Sequence, residues 1–353
     1  MSVHSNLRHF HNLLTPQSLA NDLPASRREN RTRLFTGPFF QEFWLLKFQQ
    51  TLAAAISFSG VGLHTGTSVD LKVVPAPPNT GLVFERVDLD NFRIEANIKN
   101  VARVAYATTL MKRGVLLSTV EHLLSSLYIL GVDNAIIEIN NLEVPILDGS
   151  ALEFITKIQQ VGLKAQPAKR KYLVIQKRLY LKDHDKTISI LPAESFQISY
   201  SIDFKHPLIG KQSFDFEASP ETFAKEIAPA RTFGFFHEVE VLRKNGLVRG
   251  GSLQNAIVLT EDGILNDILR FKDEFVRHKI LDSIGDFSLI GRPLIGRIIA
   301  HKAGHAMHTH LVSKILSDRS LWRLESDLGS KRSKAGNNYS YRLPRTVNSS
   351  RPV

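Results

Sequence analysis

The chain of 353 residues contains no cysteine. This absence excludes disulfide bonds, cysteine zinc ligands and thiol catalysis, so a metal ion must be bound by histidine, aspartate or glutamate. It also fits a reducing compartment. No run of about 18 uncharged apolar residues occurs, so we expect no transmembrane segment. Residues 1–35 lack a secretory pattern, and we expect a cytoplasmic protein.

The formal net charge is +11, but little of this excess lies in the middle of the chain. Residues 1–47 contain six basic and three acidic residues, and residues 327–353 contain six basic residues and one acidic residue. The 33 basic and 30 acidic residues between them leave a charge of only +3. A nearly neutral body with basic ends does not favour a nucleic-acid groove, so we expect no nucleic-acid partner.

The two ends also differ from the middle in composition. Residues 1–47 lack sustained periodicity and contain an arginine-rich stretch at 27–33, while residues 329–353 are rich in Ser, Asn, Arg and Pro. We predict a disordered N-terminal extension over 1–47 and a disordered basic tail over 329–353. Organelle targeting by the extension is an alternative, although Asp22 and Glu29 disfavour it.

Helix-like and strand-like segments alternate between these ends. The polar, proline-containing segment 166–171 is a candidate linker. It predicts two α+β domains, 48–168 and 169–328, rather than one doubly wound sheet. The apolar patterns predict strands at 134–140, 172–180 and 196–204 and helices at 118–130, 151–161, 221–228 and 273–290.

One predicted helix carries His278, Asp282 and Asp286 at four-residue spacing. Residues four apart lie on the same face of a helix, so His278 and Asp282 converge with metal-ligand spacing. Asp286 continues the row and is placed to orient a neighbouring imidazole. Taken alone, the spacing fits a solvated helix face with an ion pair better, because such pairs are common.

A second segment allows two interpretations. Ser118 and Glu121 have the spacing of a capping box that opens an amphipathic helix, and Gly131 is a plausible helix end. Alternatively, His122 binds a metal ion and Glu121 beside it acts as a general base. The spacing alone leaves both interpretations open.

Four histidines fall within residues 298–310, which suggests metal binding. Their irregular spacing does not let all four face one ion, so we expect most of them at the surface. His305 is the strongest candidate because it follows Gly304, where the backbone can approach a ligand closely. The segment 230–235 (ARTFGF) on its own is typical of an ordinary loop or strand edge.

Six segments together closely resemble the family of UDP-3-O-acyl-N-acetylglucosamine deacetylases, zinc enzymes of bacterial lipid A synthesis. They occur in the family's order and span roughly residues 48–326. The segments are SGVGLHTG (59–66), STVEH (118–122), PILDGS (145–150), ARTFGF (230–235), FVRHKILD (275–282) and HKAGH (301–305). Residues 1–47 precede the usual family start.

The resemblance implies an α+β fold of two domains, each packing helices against a small mixed or antiparallel sheet, with the active site between them. It implies one catalytic zinc ion, with iron(II) as an alternative, bound by His122, His278 and Asp282. The implied reaction is hydrolysis of the N-acetyl amide of UDP-3-O-(3-hydroxyacyl)-N-acetylglucosamine, which releases acetate. We expect the enzyme to be a monomer.

The resemblance also implies catalytic roles. Glu121 would be the general base towards the attacking water, and His305, oriented by Asp286, would protonate the leaving nitrogen. Thr232 would help to stabilise the oxyanion. The resemblance also places Lys279 among the catalytic residues.

Further residues match substrate contacts of the family. The segment 235–253 aligns with an insertion that forms an apolar passage for the acyl chain. Lysine side chains would contact the anionic diphosphate or nearby groups, and an aromatic ring would stack on uracil. The matching residues are His64, Phe204 at the uracil position, Phe233, Lys279 and Lys302.

Two other classes of function remain open from the sequence. A zinc hydrolase of different specificity, such as a peptidase, would share the ligands, but no His-Glu-x-x-His motif is present. A basic nucleic-acid-binding protein without catalysis is disfavoured by the intact candidate ligands.

His301 stands where the family often has an aromatic residue, which raises the hypothesis of an additional, inhibitory metal site.

Overall fold

The computed structural model describes residues 47–266 and 268–326, and within these ranges the chain forms nineteen strands and six α-helices. The helices are α1 (Glu121–Ile129), α2 (Leu152–Val161), α3 (Pro220–Thr222), α4 (Phe236–Lys244), α5 (Glu274–Ser288) and α6 (His305–Ser317). Short turns of 3₁₀ helix occupy Ile98–Asn100 and Arg319–Leu321, and a π-helical turn occupies Phe223–Ile227.

The strands lie in five sheets. They are β1 (Phe48–Leu52), β2 (Ile56–Val61), β3 (Ser68–Pro75), β4 (Leu82–Arg86), β5 (Phe92–Glu95), β6 (Val101–Arg103), β7 (Thr109–Lys112), β8 (Val115–Leu117), β9 (Ala135–Ile139), β10 (Leu163–Lys169), β11 (Tyr172–Ile175), β12 (Leu179–Asp183), β13 (Lys186–Leu191), β14 (Phe196–Asp203), β15 (Lys211–Glu217), β16 (Phe233–Phe235), β17 (Ile257–Leu259), β18 (Leu294–His301) and β19 (Trp322–Glu325).

A five-stranded mixed sheet forms the first half of the described chain, in the order β2-β3-β9-β4-β5. Its pairs are antiparallel except for β4 and β9. The alternating burial of β9 directs Ala135, Ile137 and Ile139 into the core, as a period of two requires. Helix α2 packs on this sheet, where the rings of Phe154 and Phe58 lie 4.9 Å apart.

A seven-stranded mixed sheet dominates the second half, and β18 is its central strand. This strand pairs antiparallel with β13 and parallel with both β11 and β14. Because β18 leads directly into α6 and follows α5, the sheet places these two helices next to each other. Strands β16 and β17 form a separate parallel pair, and the segment containing α4 connects them.

Helices α1 and α5 pack directly against each other at backbone distance. A Cβ atom at Gly285 would lie 2.3 Å from the carbonyl oxygen of Glu121 and 2.7 Å from its Cα. Apart from Arg277 and Lys279, every side chain of α5 is buried. The apolar core is one contiguous cluster with residues from both halves, so the division at residue 168 stays a prediction.

The predicted α+β class is confirmed by this set of helices and small mixed or antiparallel sheets. The long helix at 273–290 and the strands at 134–140 and 196–204 occur as α5, β9 and β14. The segment 172–180 is divided between β11 and the start of β12. The segment 221–228 forms one short helix followed by the π-helical turn, and 151–161 forms α2.

One local interpretation is wrong. Helix α1 begins at Glu121 with Val120 as its N-cap residue, so Ser118 makes no capping box and instead bonds the hydroxyl of Thr109 at 2.9 Å. The physical reason is Thr119, whose φ of +59° turns the chain away from the helix axis. Most of the candidate linker 166–171 belongs to β10, which pairs with β1, and its role as a linker stays a prediction.

The predicted disorder of 1–47 and 329–353 falls outside the described residues, except at Lys47. Within the described ranges, no helix is long and apolar enough to cross a membrane.

We expect Gly285→Ala to lower the free energy of unfolding by about 1–3 kcal/mol, because the added methyl group overlaps backbone atoms that have no room to move. The loss should occur although alanine is favoured over glycine within a helix by about 1 kcal/mol. Urea titration measures the free energy of unfolding of each variant. Gly234→Ala is the matched control, since a Cβ there meets no atom within 4 Å. Equal midpoints for both variants would contradict the close contact.

Candidate metal and catalytic site

Two neighbouring helices bring the three predicted metal ligands together. His278 and Asp282 are one turn apart on α5, and His122 is the second residue of α1. The Nε2 atoms of His278 and His122 lie 3.3 Å and 3.6 Å from Oδ1 of Asp282. One ligand atom from each residue lies within 4.8 Å of the others, and all three side chains are buried.

The protonation of these side chains suits a cation. Nδ1 of His278 lies 3.0 Å from the carbonyl oxygen of Ala230, so it carries the hydrogen and Nε2 keeps its lone pair. Burial lowers the pKa of His278 to about 4, which keeps the ring neutral. Burial opposes the charge of Asp282, but Lys279 and His278 outweigh it and hold the pKa of Asp282 well below its usual value.

His122 provides an independent indication of a bound cation. Its Nδ1 atom is buried and has no hydrogen-bond partner among the described residues. Burial of an unpaired polar atom is unfavourable, and a metal ion bound at this nitrogen would compensate for it. Two imidazoles and a carboxylate also form the three-ligand set of catalytic zinc sites. The residues present therefore fit a metal ion.

A buried ion pair supports the carbonyl group that orients His278. Glu274 is fully buried and accepts hydrogen bonds from the backbone N–H groups of Arg231 (3.0 Å) and Arg270 (2.6 Å). It also bonds the guanidinium of Arg231 at 2.9 Å. Glu274 thus fixes the loop that contains Ala230. Glu274 was not among the predicted site residues, because nothing in its local pattern distinguishes it from an ordinary first residue of a helix.

Glu121 lies at the start of α1 with its carboxyl group buried beside the candidate ligands. It accepts a hydrogen bond from the backbone N–H of Thr108 at 3.3 Å. Burial raises the pKa of Glu121 to about 7, although the nearby His305 and His122 oppose this shift. A carboxyl group with such a pKa can take up and release a proton near neutral pH.

His305 is the first residue of α6 and pairs with Asp286 of α5. Its Nδ1 lies 2.7 Å from Oδ2 of Asp286, while its Nε2 lies 4.0 Å from Oδ2 of Asp282. Burial alone would lower the pKa of His305, but Asp286, Asp282 and Glu121 raise it to about 9. Burial likewise opposes the charge of Asp286, yet His305 and His308 lower the pKa of Asp286 to about 2.

Thr108 links the two acid-base groups and was missed in the sequence. Its hydroxyl donates to Oδ1 of Asp286 at 2.6 Å, and its backbone N–H reaches Glu121. The segment around it contains only small or apolar residues and carries no motif.

The histidine tract differs from the expectation that most of its members lie at the surface. His308 is fully buried, and its Nδ1 lies 2.9 Å from Oδ2 of Asp286. The available signal was its spacing, three residues after His305 on one helix. Of the others, His310 is exposed and His301 is half-buried, with Nδ1 2.9 Å from the hydroxyl of Ser201. None of the possible metal-binding groups found in the described residues includes His301.

Aromatic side chains adjoin the ligands. The ring of Phe233 lies 5.0 Å from that of Phe275 and 6.5 Å from that of His278. Phe204 packs against Phe233 at 5.9 Å, and against Phe235 at 6.0 Å. The predicted substrate contacts Phe204 and Phe233 therefore lie in one cluster beside the ligands.

The other predicted site residues lie at different distances from this cluster. The ammonium group of Lys279 is 2.5 Å from Oδ2 of Asp282. Thr232 follows Ala230 by two residues and is half-buried. Its backbone forms hydrogen bonds with the backbones of Gly149 and Ile257. Lys302 instead pairs with Asp185 and Asp203 at 3.0 Å and 3.3 Å.

His64 lies in a loop held by another buried acid. Glu143 accepts hydrogen bonds from the backbone N–H groups of His64 (2.9 Å) and Thr65 (2.8 Å) and from the hydroxyl of Thr119 (2.9 Å). Both ring nitrogens of His64 are buried without partners among the described residues. Glu143 thus connects the His64 loop to the segment that precedes Glu121. Glu143 was not among the predicted site residues, although a charged residue among Leu142, Val144 and Pro145 is a weak signal.

A histidine, histidine and aspartate cluster beside a buried carboxyl group and a histidine–aspartate pair defines a metal-dependent hydrolase. A family model described as UDP-3-O-acyl N-acetylglycosamine deacetylase matches residues 49–317. The chain belongs to this family of metalloenzymes, and it is an amide hydrolase.

Relatives of the same name agree with this assignment. The UDP-3-O-acyl-N-acetylglucosamine deacetylase of Solibacter usitatus is 49% identical over 280 residues, which cover 79% of this chain and 95% of the relative. That of Myxococcus xanthus is 51% identical over 278 residues, covering 78% and 88%. That of Syntrophotalea carbinolica is 47% identical over 279 residues, covering 78% and 90%.

We expect His278→Ala to weaken metal affinity by more than about 100-fold, because loss of even an outer-shell partner commonly costs 10–100-fold. The measurement is the metal content of the purified chain after dialysis against a graded series of chelator concentrations. His301→Ala is the control, since that histidine lies outside the cluster. Equal metal retention in the two variants would exclude His278 as a ligand.

Proposed function

We propose that this protein is a zinc-dependent deacetylase that hydrolyses the N-acetyl amide of UDP-3-O-(3-hydroxyacyl)-N-acetylglucosamine and releases acetate in lipid A synthesis. The observation that carries the proposal is the convergence of three candidate ligands with a separate base and acid. The substrate is inferred from the family and from the names of the relatives. Zinc is favoured over iron(II) by the family resemblance, and the ligand set accepts both ions.

A zinc ion held by His122, His278 and Asp282 would supply Lewis acidity, polarising the amide carbonyl and making water a stronger nucleophile. The side chains of the protein divide the remaining work. Lys279 beside Asp282 adds positive charge at the ligand carboxylate. Thr232 is proposed to donate a hydrogen bond to the oxygen that becomes negative during attack.

Proton transfer is divided between two residues whose pKa values are both raised. Burial raises the pKa of Glu121 to about 7, and at His305 burial is outweighed by Asp286, Asp282 and Glu121, which raise the pKa to about 9. Glu121 in its ionised form accepts a proton as the water oxygen bonds to the amide carbon. His305 in its charged form donates a proton to the nitrogen as the C–N bond breaks, so acetate and the free amine result. Asp286 holds the His305 ring with Nε2 towards the site. At a pH between these two values Glu121 is ionised and His305 is protonated, which supports this assignment of base and acid.

Substrate positioning is proposed for the residues around this centre. The aromatic cluster containing Phe204 and Phe233 offers flat apolar surfaces for the nucleotide and sugar. His64 would contact the sugar. Lys302 would break its ion pair with one aspartate and bind the diphosphate instead. The insertion at 235–253 exposes Phe236, Val241 and Leu253, which suits an acyl chain.

We expect the full chain to release acetate from the acylated UDP-sugar at least 10-fold faster than from UDP-N-acetylglucosamine, because the acyl chain adds apolar binding energy. A chelator should abolish the activity, and zinc should restore it. Glu121→Gln should lower kcat by roughly 10²–10⁴-fold, whereas Glu153→Gln on the outside of α2 should not. Full activity without metal, or no preference for the acylated substrate, would refute the proposal.

The pH–rate profile tests the division between acid and base. The wild-type rate should fall at high pH, as His305 loses the proton it must donate, and at low pH, as Glu121 becomes protonated. We expect His305→Gln to have a lower kcat and to lack the alkaline limb while it keeps the acid limb. An unchanged alkaline limb in this variant would assign the acid role to another group.

The predicted monomeric state and cytoplasmic location remain predictions. Light scattering of the purified full chain tests the first, and fractionation of cells that express it tests the second.

A further inference from the structure

A second buried imidazole contacts the carboxylate that orients His305. His305 and His308 lie three residues apart on one face of α6, and both Nδ1 atoms face the same Oδ2 of Asp286, at 2.7 Å and 2.9 Å. The other oxygen of Asp286 accepts from the Thr108 hydroxyl. His308 and Asp286 are both 0% exposed. The proposed mechanism gives His308 no role.

The far side of the His308 ring is also fixed. Its Nε2 lies 3.0 Å from the hydroxyl oxygen of Tyr200, a side chain that is almost fully buried in β14. The Tyr200 hydroxyl donates at 2.6 Å to the carbonyl oxygen of Ala303, just before α6 begins. The rings of Tyr200 and Phe287 pack against His308 at centroid distances of 5.8 Å and 5.6 Å. The imidazole is therefore hydrogen-bonded at Nδ1, contacts the Tyr200 oxygen with Nε2 and is packed on its faces.

We propose that His308 is a positioning residue for the deacetylation: it holds the Asp286 carboxylate in the orientation that keeps His305 directed into the site, and Tyr200 holds His308. The inference rests on the proposed function of His305. With His308 and Thr108 in place, each oxygen of Asp286 has a fixed donor besides His305. Without His308, no other side chain of the described residues except His305 bonds Oδ2. Only the Thr108 hydroxyl is then left to hold the carboxylate against the His305 ring, so the acid is less well aligned.

Asp286, His305 and His308 could also bind a second metal ion, since their ligand atoms lie within 4.8 Å of one another. The geometry favours hydrogen bonding instead. Both Nδ1 atoms lie at hydrogen-bond distance from an oxygen that only accepts, so each of them carries a hydrogen and has no lone pair for a cation. Nε2 of His308 faces Tyr200 rather than the other two residues.

Three variants separate the two contacts of His308. Asparagine places its amide group near the position of Nδ1 and can still donate to Asp286, whereas glutamine reaches the position of Nε2 and can contact only Tyr200. Leucine makes neither contact.

We expect His308→Leu and His308→Gln to lower kcat by roughly 10–100-fold with unchanged KM and metal content. We expect His308→Asn to stay within about threefold of wild type, because the donor to Asp286 remains. The exposed His310→Asn is the control.

A double-mutant cycle shows whether His308 acts through His305. In a His305→Ala background, His308→Leu should cause no further loss of kcat, since there is no acid left to align. A full additional loss in that background would overturn the proposal. So would equal defects in His308→Asn and His308→Leu. If His308→Leu fails to fold, the comparison of asparagine with glutamine decides the question.

An activity-independent measurement separates this inference from the proposed function. The hydrogen between His305 Nδ1 and Asp286 should give a low-field proton resonance in the metal-loaded protein. We expect His308→Asn to retain this resonance and His308→Gln to lose or shift it. Retention in both variants would refute the positioning role. A wild-type protein that shows the resonance but does not hydrolyse the acylated UDP-sugar would refute the proposed function alone.

Discussion

The backbone contact between α1 and α5 sets the geometry of the whole site. Gly285 lies against Glu121, so the first turn of α1 crosses α5 between the turns that carry Asp282 and Asp286. A larger residue at this crossing would move Glu121 and His122 away from the α5 side chains. Shifts of about 1 Å are enough to impair a positioned catalytic group. The steric contact at Gly285 thus determines the distances between the charged and polar side chains of α1 and α5.

Three buried carboxyl groups lie close together around this crossing, and each has a different set of neighbours. Asp282 is compensated by Lys279 and by imidazole, while Asp286 has two imidazoles and a hydroxyl group. Within the described part of the chain, Glu121 accepts one long hydrogen bond, from the backbone N–H of Thr108, and His305 and His122 only partly oppose the effect of its burial. Because charge compensation is weakest at Glu121, burial raises the pKa of this group while the other two stay ionised. One polar cluster therefore contains both a proton acceptor and fixed negative charges.

The sequence predicted the features that depend on local periodicity. The four-residue spacing of His278 and Asp282 is a property of any helix, and α5 (Glu274–Ser288) lies within the predicted range 273–290. The capping box failed because the backbone at Thr119 is turned, and Glu143 bonds the Thr119 side chain from a distant loop. Thr108 and Tyr200 likewise reach the site through contacts with residues about one hundred positions or more away. A single sequence contains no local signal for such pairings. The order of the family motifs, rather than periodicity, therefore indicated which distant residues share the site.

Buried acids also explain how irregular segments around the site are kept in place. Glu143, Glu274 and Asp286 are fully buried, and each accepts hydrogen bonds from a different loop or helix start. Apolar contacts alone do not fix orientation, whereas a carboxylate that accepts several hydrogen bonds does. Hydrogen bonds to charged groups contribute roughly 1.5–3 kcal/mol each, which offsets the desolvation of the acid only when all of them form together. The loops of the site should therefore become ordered as units, each around its own carboxylate.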